Sequence, residues 1–395
     1  MQIRLSDHFT YRRLLRFTLP SVVTMIIASI YSVVDGLFVS NLVGAMALSA
    51  INIAFPVTMI TGAVGFMLGT GGSALVAKTL GEGKKELANQ YFSMLIYSMI
   101  GIGAVLTILA LLFVRPIMGI AGASDLLMED CVIYGAILLA GSVPFMLQVS
   151  FQNFFVVNEK PILGLVLSIA SGVTNMALDY VFIAVLKMGV AGAALATVMG
   201  YVVGGGIPLL YFAKKRERGL QLVKPKFYGK QLLQAASNGS SELMSNISAS
   251  LIGILYNIQL MKVIGEMGVA AYSVMMYVDF VFLAAFLGFS SGSAPVVSYQ
   301  YGAGNHAELK SVFRKSITII VITSVVMVFV SEVVSHPLSA FLSFTRTLLF
   351  RGGMVLLLPV ALGLDGIWGA IVVAEGLGLI CSLTCLVRNR KRYHY

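Results

Sequence analysis

The sequence has little charge for its length. Asp, Glu, Lys and Arg together make up 11% of its 395 residues, whereas hydrophobic residues make up 58%. Soluble domains carry about a quarter of charged residues. The shortage of charge therefore excludes an ordinary soluble domain and indicates a chain that lies in lipid.

Cysteine and histidine are also scarce, with three and four copies. Three cysteines form no disulfide framework. Cys381 and Cys385 are four positions apart without further ligands nearby, so packing explains them better than a metal site. The histidines are scattered and predict no site. The glycine-rich GTGGS and SGSA stretches lack the following Lys and Ser/Thr of a phosphate-binding loop, and no nucleophile or metal motif appears, so no enzyme is predicted.

Long apolar runs dominate what is present. A helix needs about 20 apolar residues to cross the ~30 Å hydrocarbon core. Lipid offers no partners to an open backbone, so runs of this length predict helices. The first run is too long for a cleavable signal peptide. We predict an all-α polytopic membrane protein, a helical bundle with about 11 transmembrane helices. The candidate spans lie near residues 14–40, 47–77, 91–114, 130–156, 161–185, 190–213, 231–260, 268–298, 316–335, 338–361 and 366–387.

The basic residues alternate from one connection to the next. The net charge of +10 could suggest nucleic acid. Before residue 331, however, the connections on one side hold most of the Lys and Arg, whereas those on the other side hold Arg115, Lys187 and Lys262. Such a bias is the positive-inside pattern of membrane proteins. It predicts a cytoplasmic N-terminus and no nucleic-acid partner.

Two pairs of similar segments indicate that the chain consists of related halves. GSALVAKTLGEGKKELA at 72–88 resembles GSAPVVSYQYGAGNHAELK at 292–310. Likewise, MGVAGAALATVMGYVVG at 188–204 resembles LDGIWGAIVVAEGLGLI at 364–380. Each pair supplies the same kind of connection or span at a corresponding place in the two halves.

The predicted halves differ in length. They are an N-lobe of six transmembrane helices at 1–213, a basic cytoplasmic linker at 214–230 and a C-lobe of about five helices at 231–395. The repeated segments are roughly 43 residues closer together in the second half, which corresponds to one helix with its loops. The missing part should lie near 331–341. Either the last two spans keep their orientation across a strained junction or the C-lobe is rearranged, and the sequence leaves both readings open.

Four polar residues lie inside the apolar runs of the first half, namely Asp35, Asn175, Asp179 and Thr197. Ionisable residues deep in a span are costly and indicate function by default. Since odd spans run outward and even spans run inward, all four reach about 8–15 Å below the outer surface. Asn175 and Asp179 are four positions apart and share one helix face.

Two chemistries fit this set of side chains. Two adjacent carboxylates do not both ionise readily, so one should take up a proton near neutral pH. Alternatively, the carboxylate, amide and hydroxyl oxygens could cage a small hard cation. Asn175 and Thr197 also have a purely structural explanation, since polar side chains often bridge helices in membranes.

These residues resemble the MATE family, the multidrug and toxic compound extrusion transporters. The likeness rests on N-x-x-x-D at 175–179, on VVDGLFVS around Asp35, on Thr197 in GAALAT, and on the paired GEG and GAGN connections. RTLLFRGGMVLLLPVALGLDGIWGA at 346–370 resembles the eleventh and twelfth helices of the MepA-like bacterial branch. The resemblance covers essentially the whole chain.

The resemblance implies two six-helix lobes around a central cavity, and export of drug-like organic cations in exchange for H⁺ or Na⁺. It makes Asp35, Asn175, Asp179 and Thr197 the ion-coupling site, and the metal ligands if the ion is Na⁺. Pro20 matches a helix-one proline at which some members bend. A proline removes one backbone hydrogen bond, which permits a hinge, although a proline tolerated in the first helical turns is the alternative. No cofactor is expected besides the coupling ion.

The second half departs from the family pattern. It lacks the tenth of twelve helices, which belongs to the cavity wall, and this puts alternating access of two lobes around a central site in doubt. Glu242 matches a position at which some members carry a cavity carboxylate, with helix packing as the alternative. Asp279 is a second candidate for the substrate cavity. Asp279 and Glu375 are equally explained by structural partners.

The predicted function is secondary active multidrug efflux at the cell (inner) membrane. The protein would act as a monomer that contacts membrane lipid and amphipathic cationic compounds. One alternative is a lipid-linked glycan flippase of the same superfamily, although the embedded charges are mainly acidic and a pyrophosphate would favour cationic ones. A second alternative is a shortened remnant that has lost transport and remains as a membrane protein.

Overall fold

The computed structural model describes residues 3–215, 219–263 and 265–334. Every regular element in these ranges is a helix, and the predicted all-α membrane fold is confirmed. The helices are α1 (Tyr11–Leu42), α2 (Ala45–Gly81), α3 (Lys85–Leu112), α4 (Val114–Ile120), α5 (Met128–Ala140), α6 (Ser142–Val157), α7 (Pro161–Asp179), α8 (Gly189–Ala213), α9 (Gly229–Asn238), α10 (Ser240–Val263), α11 (Glu266–Gly302) and α12 (His306–Val334).

Within the described ranges, six helices are long and apolar enough to cross a membrane, namely α1, α2, α3, α7 extended to Val185, α8 and α10. A bent pair, α5 and α6, makes a seventh if it counts as one span. As far as residue 334, the first nine predicted runs fall on these helices or on α9, α11 and α12. The last two runs, the repeat at 364–380, Glu375 and the cysteine pair at 381 and 385 lie outside the described residues.

The chain forms two compact units, residues 1–313 and 314–395. The first contains α1 to α11 and the beginning of α12. Of the second, residues 314–334 are described, and they form the rest of α12. The predicted lobe boundaries at 213 and 231 stay a prediction, as does the shortening near 331–341, most of which lies beyond residue 334.

The bend between α5 and α6 has a local cause. The two helices meet at Gly141 with an angle of 54°. Pro144 lies in the first turn of α6, where its missing N–H costs no helical hydrogen bond. The same proline could not continue α5, because its ring would clash with the carbonyl four residues earlier. The apolar run at 130–156 is therefore two helices rather than one.

The two repeated connections contact each other at the ends of α2 and α11. A Cβ atom on Gly81 would lie 2.2 Å from the Tyr299 carbonyl oxygen, and one on Gly302 would lie 2.1 Å from the Lys78 carbonyl oxygen. Each glycine thus lets its helix end approach the backbone of the other helix. The reciprocal pattern is what two related segments produce when they pack around a common axis.

Hydrogen bonds hold the segment before α1 against other parts of the protein. The Leu5 N–H donates to Glu159 Oε1 at 2.8 Å, and Gln300 Nε2 donates to the Leu5 carbonyl oxygen at 2.8 Å. The Phe9 N–H donates to Glu308 Oε1 at 2.8 Å, and its ring is fully buried. These contacts tie residues 5–9 to the α6–α7 turn, to α11 and to the start of α12. Burial raises the pKa of the Glu159 carboxyl, and the Leu5 hydrogen bond offsets part of that rise.

The linker before α9 lies along α3 through hydrogen bonds from its backbone. Asn89 Oδ1 accepts from the Gln221 N–H at 3.2 Å, and Ser93 Oγ accepts from the Val223 N–H at 2.9 Å. Both side chains belong to α3 and are buried. An extended segment with such partners needs no helix or sheet of its own.

Candidate functional site

The four polar residues predicted to form a site come together on three helices. Asp35 lies on α1, Asn175 and Asp179 lie on α7, and Thr197 lies on α8. The carboxyl groups of Asp35 and Asp179 lie near enough to each other to interact electrostatically. Asn175 Nδ2 donates to Thr197 Oγ1 at 3.4 Å, and Thr197 Oγ1 donates to the Ala193 carbonyl oxygen at 3.0 Å. Because α7 packs against both α1 and α8, it holds the cluster in the middle.

The Asp179 carboxylate and the Asp35 Oδ1 atom are buried without donors among the described residues. Asp179 is 0% exposed, and no donor in the described residues reaches either of its side-chain oxygens or Asp35 Oδ1. Two ionised carboxylates only accept hydrogen bonds, so their mutual contact needs a proton between them or a cation beside them. A buried charge without such compensation is strongly unfavourable. The site therefore calls for a positive charge from outside the protein.

The backbone of α7 changes geometry directly after Asp179. Residues Tyr180–Val185 form a π-helical turn, in which the hydrogen bonds run from i to i+5 rather than i to i+4. Such turns are rare and occur mostly at functional sites. The predicted span at 161–185 is thus an α-helix that ends in a π-helical turn at the carboxylate.

Two tyrosines that the sequence does not predict as site residues border the cluster. Tyr31 lies one turn before Asp35, and its hydroxyl donates to the Ser168 carbonyl oxygen at 2.9 Å. Tyr201 lies one turn after Thr197, within electrostatic range of Asp35, and its ring packs on Phe145 at a centroid distance of 4.8 Å. The i, i+4 spacing to a predicted site residue was the signal that could have found both.

The other predicted residues lie elsewhere. Pro20 is the tenth residue of α1, which begins at Tyr11, and it therefore lies inside the helix. Glu242 is half-buried in the first turn of α10, a helix that packs on α2 and does not hold the four-residue cluster. Asp279 belongs to α11, but its side chain lies outside the described part of the structure. The roles of Pro20, Glu242 and Asp279 stay predictions.

Comparison with known proteins identifies the family. A family model described as MatE matches residues 20–181 and 243–365, which together make up more than half of the chain. The chain belongs to the MatE family. The first matched range includes α7 and α1 from Pro20 onward, and therefore Asp35, Asn175 and Asp179 of the cluster.

Relatives of this MatE protein are named as multidrug export proteins. The multidrug export protein MepA of Staphylococcus haemolyticus (strain JCSC1435) is 26% identical over 337 residues, which cover 83% of this chain and 72% of the relative. MepA of Staphylococcus aureus (strain MRSA252) is 24% identical over 336 residues, which cover 84% and 73%. The predictions of a MepA-like MATE transporter and of a protein that is not an enzyme are confirmed.

Solved structures share the fold of this MatE protein. The MATE multidrug transporter DinF-BH, in complex with a small-molecule ligand, has a TM-score of 0.78 and 24% identity, and the match covers 98% of this chain and 99% of that one. An outward-facing multidrug resistance MATE family transporter of the MOP superfamily has a TM-score of 0.75 and 21% identity, covering 98% and 96%. With its apolar helices, this MatE protein is a multi-pass membrane transport protein.

Proposed function

We propose that this MatE protein exports amphipathic organic cations across the cell membrane in exchange for H⁺ or Na⁺, and that the incoming ion binds at the Asp35–Asp179 pair. The observation that carries the proposal is the complete burial of Asp179 against Asp35, with no protein donor among the described residues to balance the two carboxylates. A site with this deficit of positive charge favours any small cation that can reach it.

Binding of the ion can drive a change of shape because the empty and filled pairs differ in electrostatic energy. When the pair is empty, repulsion between the carboxylates pushes α1 and α7 apart. When it is filled, the same groups hold the two helices together. A ligand that favours one arrangement shifts the population toward it. Pro20 interrupts the hydrogen bonds of α1 fifteen positions before Asp35, so α1 is the helix that can bend in response.

The two candidate ions need different ligands from the cluster. Asn175 uses its Nδ2 group on Thr197, which leaves its carbonyl oxygen to face a cation. Two carboxylates, one amide oxygen and one hydroxyl form an all-oxygen set that suits Na⁺, whereas a proton needs the carboxylate pair alone. Replacing Asn175 by Leu therefore distinguishes the ions, since it should weaken Na⁺ coupling and spare H⁺ coupling.

The substrate class and the location are supported by two further observations. The relatives are named for multidrug export, and the DinF-BH structure is that of a complex with a small molecule. The alternating distribution of Lys and Arg supports a cytoplasmic N-terminus in the cell (inner) membrane. We further propose that the protein binds drug-like cations, contacts membrane lipid and acts as a monomer.

The test is ion-driven efflux of a cationic dye by purified protein in liposomes, with the ion gradient imposed as H⁺ or as Na⁺. Asp179→Asn keeps the size of the side chain but removes its charge, and it should abolish gradient-driven efflux. Asp125→Asn, at an exposed position between α4 and α5, is the matched control and should transport normally. Undiminished efflux by Asp179→Asn would remove the coupling role. Dye binding without any flux by the unmodified protein would favour the transport-defective remnant.

A further inference from the structure

The buried face of α7 is made of glycine and polar residues. It consists of Gly164, Ser168, Ser171, Gly172, Asn175 and Asp179. The opposite face is exposed and apolar, with Ile162, Val166, Ile169 and Val173 between 38% and 66% exposed. This arrangement is the reverse of a soluble helix and is the one expected when the outer face meets lipid. It also places polar side chains along one face of α7 from Asp179 to Ser168.

Side chains of α6 extend that line by hydrogen bonds. Gln148 Nε2 donates to Ser171 Oγ at 3.2 Å, and Ser171 Oγ donates to the Gly200 carbonyl oxygen at 2.7 Å. One turn further along, Gln152 Nε2 donates to Ser168 Oγ at 3.0 Å. The line therefore passes from the carboxylates through Asn175 and the two serines to the two glutamines.

Two buried hydrogen-bond acceptors that lack a donor among the described residues lie along this line. The Asp179 carboxylate, which is fully buried, has no donor among the described residues, and the same is true of the buried Gln148 Oε1 atom. A buried acceptor without a donor is costly, and in native proteins such groups usually face an ordered water or an ion. Both acceptors are oxygens, which suits a small cation or a hydrated proton.

Two clefts continue the line beyond the serines. The first is lined by Gln148, Gln152, Ser168 and neighbouring apolar residues, and the second by Ser21, Thr24, Gln152 and Pro161 among others. They share Gln152 and Gly164. Pro161 is the first residue of α7, so the second cleft lies at the end of the helix opposite to Asp179. Its lining residue Ser21 directly follows Pro20 on α1.

We propose that this polar face of α7, together with Gln148 and Gln152, is the path by which the coupling ion leaves the Asp35–Asp179 pair for the cytoplasm. The inference rests on the proposed function. The path is too narrow for a drug, since a Cβ atom on Gly200 would already lie 3.2 Å from the Ser171 carbonyl oxygen. The two clefts along it have room only for water-sized species, so the ion and the substrate leave the protein by separate routes. Gln148 and Ser171 act on the ion in transit and are not part of the carboxylate pair.

The test compares Gln148→Leu and Ser171→Ala with Thr174→Val. The first two remove polar groups from the path. The third removes a hydroxyl of α7 that donates to the Ala170 carbonyl oxygen of its own helix, at 2.8 Å, and lies off the polar face. Purified proteins in liposomes are assayed for equilibrium binding of ethidium, for gradient-driven ethidium efflux, and for exchange of internal for external ethidium, which requires no net ion release.

We expect Gln148→Leu and Ser171→Ala to slow gradient-driven efflux by about ten-fold or more, because each interrupts a hydrogen-bonded step of ion movement. Ethidium binding and ethidium exchange should stay near the unmodified level, as should all three readouts of Thr174→Val. Ser171→Ala is the smaller change and carries the test if Gln148→Leu does not fold.

Two results would overturn the path. One is normal gradient-driven efflux in both variants while Asp179→Asn is inactive, which leaves the proposed function standing. The other is a parallel loss of exchange or binding, which would assign Gln148 and Ser171 to the substrate or to packing. Normal efflux by Asp179→Asn would instead refute the proposed function itself, and the path with it.

Discussion

Asn52 on α2 and Asn257 on α10 exchange two hydrogen bonds. Asn52 Nδ2 donates to Asn257 Oδ1 at 3.1 Å, and Asn257 Nδ2 donates to the Asn52 carbonyl oxygen at 3.1 Å. Asn257 is 1% exposed. The pair joins the first half of the sequence to the second near the beginning of α2. The close contacts at Gly81 and Gly302 join the same two halves at the other end of α2. Alternating access requires that such contacts open one end at a time.

Locking the asparagine pair should stop transport. We expect the double variant Asn52→Cys and Asn257→Cys, made in a background without Cys131, Cys381 and Cys385, to form a cross-link with an oxidant or a short dithiol reagent. The cross-linked protein should bind dye but fail to release it, and reduction should restore efflux. Electrophoretic mobility reports the cross-link, and dye efflux from liposomes reports activity. Each single cysteine variant is the control.

Full activity of the cross-linked protein would mean that α2 and α10 do not separate during transport. The asparagine pair would then be a fixed packing contact. Since buried polar pairs also serve such a structural purpose in membrane proteins, the cross-link decides between the two roles, and a simple replacement by leucine would not.

The close approach of α2 and α11 should tolerate no side chain at Gly81. We expect Gly81→Ala to lower the melting temperature, at a cost of about 1–3 kcal/mol, because the added methyl group meets the Tyr299 backbone. Ion-driven efflux should fall as well. Gly101→Ala on α3 is the matched control, since an added Cβ there meets no atom within 4 Å and alanine favours a helix by about 1 kcal/mol. Similar melting curves for the two variants would contradict the close packing.

The sequence predicted the cluster well because two independent regularities pointed to it. The four-residue spacing placed Asn175 and Asp179 on one face, and the alternation of basic loops gave Asp35, Asn175, Asp179 and Thr197 a common depth. The structure brings all four together on α1, α7 and α8. The helical structure of the spans was equally predictable, because an apolar run long enough to cross a bilayer has few alternatives to a helix.

Other features could not be predicted because they depend on contacts between distant positions. The break at Gly239 between α9 and α10 lies within one predicted run, and run length carries no information about a break. The hydrogen bond of Phe9 to Glu308 spans nearly the whole described chain. Gln148 could not be predicted either. The sequence around an amide in an apolar helix does not show which residues on other helices it will contact.

The contact between Glu159 and the N-terminal segment should make stability depend on pH. Glu159 Oε1 accepts from the Leu5 N–H at 2.8 Å, and burial is the main reason that the pKa of Glu159 lies above its ordinary value of 4.5. A carboxyl group that binds its proton more tightly in the folded state favours folding most at low pH. Its contribution is complete below 4.5 and is lost as the pH rises through the raised value.

Replacing Glu159 by Gln should remove this pH dependence. Glu159→Gln keeps an acceptor for Leu5 and cannot ionise, so it should become more stable than the unmodified protein as the pH rises from about 4 to 7. Melting temperatures of detergent-purified protein across that range measure the effect, and Glu86→Gln on the exposed face of α3 controls for the loss of one negative charge. Parallel curves for Glu159→Gln and the unmodified protein would show that the carboxyl of Glu159 is not destabilised by its surroundings.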